Sequence, residues 1–279
     1  MSAPHVPASR LAGAREKAEG ERGEAAYQFA NILFAGPCNR SCPWCIGKTL
    51  PPRVNVENLD VFPPRGLDAL IDAVNAHGVR EVVFTGTVSD PQLYRHEIAL
   101  LDRLRARLHA DARFSVHTNG ALALRKLDAF NHYDRACISL PSFERATYEA
   151  MMGSPKVPDL AEILRRARIP VKVSAVLDAP NHGEIDGFLR RCADLGVRRA
   201  VVRRLFGATE RWPVLAGETP TGTFRGNPVY DVCGMEVTVW DFDDARFRSL
   251  NLFADGTLGT SYLLSETPEL GLGRRAAPA

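Results

Sequence analysis

The sequence predicts an α/β fold, a partial (β/α)6 barrel of the TIM type with a small C-terminal antiparallel β element, on three observations. Short apolar, partly β-branched runs recur about six times between residues 30 and 206. Amphipathic stretches with helical spacing lie between them. Beyond Phe206 the alternation stops, and a Gly- and Pro-rich crossing leads into two further strand-like runs. Strand and helix in alternation argue for a parallel sheet covered by helices, and in such folds the loops leaving the C-terminal strand ends carry the chemistry.

Taken in order, residues 1–26 are rich in Ala, Gly, Glu and Arg and read as a flexible N-terminal arm. The barrel core is expected over 27–206. Its strands are read at 30–35 (ANILFA), 81–85 (EVVFT), 113–117 (RFSVH), 136–140 (ACISL), 171–177 (VKVSAVL) and 200–206 (AVVRRLF). Its helices are read from four apolar stripes: Leu67, Leu70, Ile71 and Val74; Ile98, Leu101, Leu104 and Leu108; Leu160, Ile163 and Leu164; and Ile185, Phe188, Leu189 and Cys192. Gly78 and Gly196 stand where the first and last stripes should end. Residues 207–265 are expected to form an irregular crossing and then a small hairpin, made by MEVTVWDF and RSLNLFADGTLGTSYLL, that covers the barrel mouth. Residues 266–279 read as a flexible tail.

Composition narrows the function classes. A net charge of +2, from 35 basic and 33 acidic residues, gives no field that would draw in nucleic acid or anionic lipid. No run approaches the ~20 apolar residues of a membrane span, and the first residues lack the apolar core of a secretory signal. A cytoplasmic protein is the expectation. Six cysteines are too few and too unevenly spaced for a disulfide scaffold, and as thiols they are available to bind metal.

Three of those cysteines, Cys38, Cys42 and Cys45, fall within GPCNRSCPWCIG, residues 36–47, directly after the first strand. The C-x3-C-x2-C spacing lets one compact loop converge three thiolates, with Gly36, Pro37, Pro43 and Gly47 suited to tight turns. A closed zinc site needs a fourth ligand, for which His117 is available, and packing without metal is a further reading. An iron–sulfur cubane with one open iron fits better, because the missing ligand becomes a place for a small molecule to bind.

This loop, with Trp44 before its third cysteine and a six-strand β/α pattern behind it, resembles the radical S-adenosylmethionine superfamily. Further segments, over about residues 30–206, resemble the family in the same order. FTGTVSDP at 84–91 is similar to a glycine-rich segment whose backbone holds the methionine amino group, with Gly86 and Thr87 at the two key places and Val88 where the family has Glu. HTNG at 117–120 is similar to the branch that includes the molybdenum-cofactor enzyme and peptide-modifying members. Ser139, in ISL, corresponds to a residue near the carboxylate or ribose of S-adenosylmethionine (AdoMet), and Asn181 to a ribose-contacting residue.

The resemblance implies a [4Fe-4S] cluster on Cys38, Cys42 and Cys45, with AdoMet chelating the open iron and cleaved reductively to methionine and a 5′-deoxyadenosyl radical. It also implies an electron donor such as flavodoxin or ferredoxin. The AdoMet carboxylate suits a cation, for which Arg203 is the candidate; strand alternation would turn its neighbour Arg204 the other way. Candidates at the reacting centre are His117, Tyr230 and Cys233. Lys48 lies by the cysteine loop, and Trp212, Arg225, Glu236, Trp240, Asp241, Asp243 and Asp244 are possible substrate contacts. The compact chain favours a small-molecule substrate. The alternatives are a peptide or protein substrate, toward which the TNG resemblance points, and a non-catalytic metal-binding module; nucleic acid is disfavoured.

Overall fold

The computed structural model describes residues 27–206, 208–243 and 248–260. The whole of the expected arm, the tail and Asp244 lie outside them. The six expected strands form as β1 (Phe29–Phe34), β2 (Glu81–Gly86), β3 (Arg113–Thr118), β4 (Arg135–Ser139), β5 (Val171–Leu177) and β6 (Arg199–Arg204), paired in parallel in that order. Between them run α1 (Leu67–Ala76), α2 (Glu97–Arg107), α3 (Leu127–Phe130), α4 (Arg145–Met152), α5 (Leu160–Arg166) and α6 (Ile185–Asp194). Gly78 and Gly196, at φ 63° and 89°, follow α1 and α6 in the left-handed conformation that closes a helix cheaply only for glycine. Asp159 caps α5 by accepting the Glu162 amide at 3.0 Å.

One helix stripe differs from expectation. Leu101, Leu104 and Leu108 are buried as expected, but Ile98 is 42% exposed, and Glu97 and Leu100 complete the inward face of α2 in its place. Glu97 is drawn in because Lys126 pairs with it and the Tyr133 hydroxyl donates to it at 3.0 Å. A buried carboxylate with two such partners is satisfied.

The C-terminal strands correct a second expectation. MEVTVW forms β9 (Met235–Trp240), antiparallel to β8 (Asn227–Val232), which pairs in turn with β7 (Gly222–Phe224). The later run forms β10 (Ser249–Leu252) and the short β11 (Leu258–Gly259). β9 and β10 do not pair with each other. β9 lies parallel to β6 at one side of the sheet, and β10 lies parallel to β1 at the other. The order is β11-β10-β1-β2-β3-β4-β5-β6-β9-β8-β7, so eight consecutive strands are parallel. The physical reason is matching alternation: Met235 and Val237 join the helix-side core beside β6, and Leu250 and Leu252 join it beside β1.

That core is built from every second strand residue, among them Ile32, Phe84, Val116, Ile138, Val173 and Val202. The alternate residues face the other side, and most are polar: Ser115, His117, Ser139, Lys172, Ser174, Arg203 and Thr238. Two ion pairs, Arg135 with Glu81 and Arg199 with Glu236, lie near the N-terminal strand ends of this face. Among the described residues no helix is long and apolar enough to cross a membrane.

Candidate functional site

Cys38, Cys42 and Cys45 occupy the loop leaving the C-terminal end of β1. Cys38 is exposed and the other two are half-buried. The Cys45 thiol donates to the Thr87 carbonyl at 3.2 Å, and Cys42 Sγ lies 3.9 Å from the Met152 carbonyl and 3.8 Å from its thioether sulfur. Burial, reinforced by Cys45 and Cys38, pushes the Cys42 thiol up to about 11; burial also raises Cys38, with Asp90 and Cys45 adding to it. Each cysteine therefore lies in the electrostatic reach of another, and without a metal Cys38 and Cys42 are protonated at neutral pH. Metal binding would have to displace those protons.

Among the described residues no group of three or more His, Cys, Asp or Glu side chains converges to hold one ion. The expected alternative, a zinc site completed by His117, is not formed. An iron–sulfur cluster offers each thiolate its own iron, so three neighbouring but separate thiols on one loop fit that group.

Close backbone approach fixes the loop in place. A Cβ on Gly47 would stand 2.4 Å from the Thr87 carbonyl, and one on Gly86 would stand 1.6 Å from the Ser89 carbonyl oxygen. Only glycine lets the β2 exit turn this sharply against the cysteine loop. The Thr87 amide donates to Phe34 O at 2.9 Å, and the Ser89 hydroxyl to Pro37 O at 2.9 Å. On the far side the Ser41 amide donates to Met152 O at 3.1 Å, and Arg40 donates to the Tyr148 hydroxyl at 3.1 Å. Lys48 closes the loop on itself through the Cys42 carbonyl at 2.8 Å.

Sequence reasoning passed over the centre of this network. Buried Asp90, three residues beyond Thr87, accepts from the Gln92 amide (2.9 Å), the Thr118 hydroxyl (2.9 Å) and the Asn119 amide (2.7 Å). Asn119 then donates its side-chain amide to Asn39 Oδ1 at 2.7 Å. The exits of β1, β2 and β3 are thus tied together. Desolvation by burial still raises the Asp90 carboxyl, against these hydrogen bonds. The signal was the Asp-Pro pair opening a tight turn, where Asp is a favoured cap.

The remaining candidates divide. Gly86, Thr87, Ser139, His117 and Arg203 all lie at the C-terminal strand ends, with the cysteines. Ser139 pairs with Ser174 in register, and Arg203 with Trp240. Burial, with Lys172 and Arg203 nearby, holds the half-buried His117 imidazole well below its ordinary value, so it is neutral at pH 7. Lys172 was also missed, although VKVSAVL already shows polar residues at alternate positions. Arg203 Nε is buried with no hydrogen-bond partner among the described residues. Arg204 points elsewhere and pairs with Asp241 at 2.8 Å and with Asp243.

Asn181 does not stand free for a ribose. It is fully buried, donates to Pro141 O (3.0 Å) and Val176 O (2.8 Å), and accepts from the Asp178 amide (2.9 Å). Its amide protons are spent bracing the β4 and β5 exits. Tyr230 sits opposite Val237 and packs into the helix-side core, away from the polar face. Cys233, at φ 52°, is exposed in the turn between β8 and β9. That turn precedes β9, which runs parallel to β6, so Cys233 lies at the N-terminal strand ends, opposite the cysteine loop. Glu236 is near the same end, paired with Arg199 at 3.2 Å. Trp212 stacks on His182 with ring centroids 4.0 Å apart, Arg225 lies over Phe224 in the β7–β8 turn, and Asp241 and Asp243 are taken by Arg204 and Arg211.

The family model described as "Radical SAM superfamily" matches residues 32–192. No curated protein sequence matches the chain. Among solved structures, SuiB of Streptococcus suis bound to precursor peptide SuiA is similar at a TM-score of 0.50 and 17% identity, over 70% of this chain and 44% of that one. SuiB bound to S-adenosylmethionine is similar at 0.50 and 16%, over 72% and 47%. The chain thus spans under half the length of the SuiB chains it matches, and at this identity the likeness is one of fold.

Proposed function

The chain belongs to the radical SAM superfamily, and on that premise we propose that this enzyme modifies a peptide, with a [4Fe-4S] cluster held by Cys38, Cys42 and Cys45. The observation that carries the reading is the position of the three thiols: one loop, one electrostatic neighbourhood, pressed by Gly47 and Gly86 onto the β2 exit. When bound, the cluster supplies the electron that parts S-adenosylmethionine into methionine and a 5′-deoxyadenosyl radical able to take a substrate hydrogen atom.

The chain's own residues bind and orient. With Cys45 holding the cluster as a thiolate, its hydrogen bond to the Thr87 carbonyl would be given up, and that oxygen would be open to accept from the methionine amino group. Arg203 supplies the cation for the carboxylate, its buried Nε having no other partner among the described residues. Ser139 and Ser174 add hydroxyls beside it, and neutral His117 offers a donor and an acceptor on the polar face. Asn181 contributes indirectly, by holding the β4 and β5 exits in register.

The sequence alone leaned to a small-molecule substrate. The likeness to SuiB, whose structure holds a precursor peptide, and the HTNG segment support the peptide instead. The experiment is anaerobic iron–sulfur reconstitution followed by dithionite and AdoMet. Formation of 5′-deoxyadenosine is expected in the wild type, with loss of both visible iron–sulfur absorption and cleavage in Cys42→Ala. Cleavage that persists in that variant refutes the cluster ligands. Deuterium reaching 5′-deoxyadenosine from deuterated peptides supports the peptide reading, and deuterium arriving only from free metabolites overturns it.

A further inference from the structure

The polar side of the sheet is open where the helix side is closed. Along β5 and β6, Val173, Ala175, Ala200 and Val202 are at most 3% exposed, whereas the alternate residues Lys172, Val176, Val201 and Arg203 all keep part of their surface free. His117 on β3 and Ser139 on β4 do the same, beside Val116 and Ile138 at 0%. Burial is nevertheless the strongest influence on the His117 imidazole. A side chain enclosed by protein and still open to water stands in a recess, and His117, next to last in β3, sets this one near the strand ends that carry the cysteine loop.

The recess is electropositive. The charges that act on His117, those of Lys172 and Arg203, are both positive. From the level of His117 to the C-terminal strand ends, β1–β6 and β9 turn no Asp or Glu to this side except Glu236, which Arg199 holds at 3.2 Å. Lys172 is in register with Cys137, and Cys137 with His117, so cation and imidazole stand at one level, two strands apart. Arg203 stands opposite Val176, four residues or about 13 Å further along β5 than Lys172. The two cations therefore enter at different depths. Arg203 is nearer the exits, as a partner for the AdoMet carboxylate must be, and Lys172 forms the floor with His117.

We propose that this floor holds a carboxylate of the peptide residue that is modified, an Asp or Glu side chain or the C-terminal carboxylate. The proposal rests on the radical and peptide reading above. Lys172 supplies the charge, and the neutral His117 ring donates its one N–H beside it. Ser174 and Ser139, paired one step nearer the exits, add hydroxyls on side chains small enough to leave room. Cations alone accept any anion, but an unmodified peptide offers none other than a carboxylate. Anchored at this depth, the residue presents its C–H bonds to the end of the sheet where the cysteine loop lies.

The test is titration calorimetry on the reconstituted full chain with AdoMet. The probes are Gly/Ala hexapeptides capped at both ends that carry one Glu, one Gln or one phosphoserine, and an uncharged hexapeptide with a free C-terminus. The Glu peptide is expected to bind about tenfold or more tighter than the Gln peptide, as one charge-assisted contact provides. Lys172→Met should bring the two within about twofold, and Lys172→Arg, which keeps the charge, should retain the preference. Tight binding of the free-terminus peptide, with Glu and Gln peptides alike, would support the terminal carboxylate as the anchor. Equal affinity for all four peptides, or none, overturns the proposal. So does a Glu preference that survives Lys172→Met, or tighter binding of the phosphoserine peptide, which would give the recess to phosphate. Loss of all peptide binding in Lys172→Arg as well as in Lys172→Met would mark a role in folding and equally overturn it. If dithionite yields no 5′-deoxyadenosine from the wild type, the radical reading fails, and if deuterium arrives only from free metabolites, the peptide reading fails. Calorimetry decides the recess separately from both.

Discussion

At Gly86 a single methyl group decides whether the β2 exit can meet the cysteine loop, since a Cβ would fall 1.6 Å from the Ser89 carbonyl oxygen. Gly86→Ala is expected to lower stability by about 1–3 kcal/mol, the usual cost of overpacking, and to depress AdoMet cleavage beyond that loss. Denaturant unfolding and 5′-deoxyadenosine assays on one preparation check it. Asn181→Ala makes the opposite point. It strips partners from two carbonyls and an amide, and at roughly 1 kcal/mol per hydrogen bond it should cost about 2–4 kcal/mol while leaving the KM for AdoMet of the folded fraction nearly unchanged. A raised KM at unchanged stability would restore the ribose contact that the resemblance implied. The shared loop of Cys38, Cys42 and Cys45 and the glycine turn at Gly86 were legible because their placement is written in local spacing. Asn181 was not, because its partners come from segments up to 40 residues distant.

Elements were legible where period and punctuation agreed, and illegible where strand direction mattered. The first six strands appear within one or two residues of their apolar runs, because parallel strands buried on one side and packed by helices leave a clear pattern. The later strands carry equally clear patterns, yet nothing in them says that β9 adds to β6 and β10 to β1. That choice moved Cys233 to the wrong end of the sheet and Tyr230 to the helix side, so Cys233→Ser and Tyr230→Phe should leave 5′-deoxyadenosine formation within about twofold of wild type, as for changes away from a site. Asp241, just beyond β9, tests the β6–β9 corner by pH. Desolvation opposes its charge, but the Asp243 amide, Arg211 and Arg204 outweigh it and hold the carboxyl below its ordinary value. A depressed carboxylate stabilises the fold above the unfolded value near ~3.9 and loses that contribution as pH falls through the folded value. Asp241→Asn should therefore lower the unfolding midpoint at pH 7, and the gap between variant and wild type should close as pH drops below about 4. A gap of constant size would show that the carboxylate's charge plays no part.

Among the described residues, eight consecutive parallel strands run through one sheet, and the outer two of the eight, β9 and β10, both come from the C-terminal third of the chain. The arrangement makes the cysteine loop dependent on residues more than 200 positions away. β1 runs straight into that loop, and its outer partner is β10, joined through backbone pairing and through the buried Asn31 amide donating to Asn251 Oδ1 at 2.7 Å. Asn251 is itself held by the Ser249 hydroxyl and carbonyl, each at 3.2 Å, so the pair is preorganised. Asn251→Ala leaves the Asn31 amide buried without its acceptor and should cost about 1–3 kcal/mol. Asn31→Ala/Asn251→Ala should cost less than the sum of the single changes, because removing both partners removes the unsatisfied group. If the sheet transmits this loosening, amide exchange should quicken along β1 and at Thr87, whose N–H is held by Phe34 O, before it quickens in β4 or β5. Strict additivity in the double-mutant cycle, or exchange that rises evenly over all strands, would mean that the β1 edge is not a separate unit of stability. The cysteine loop would then rest on its local turns alone.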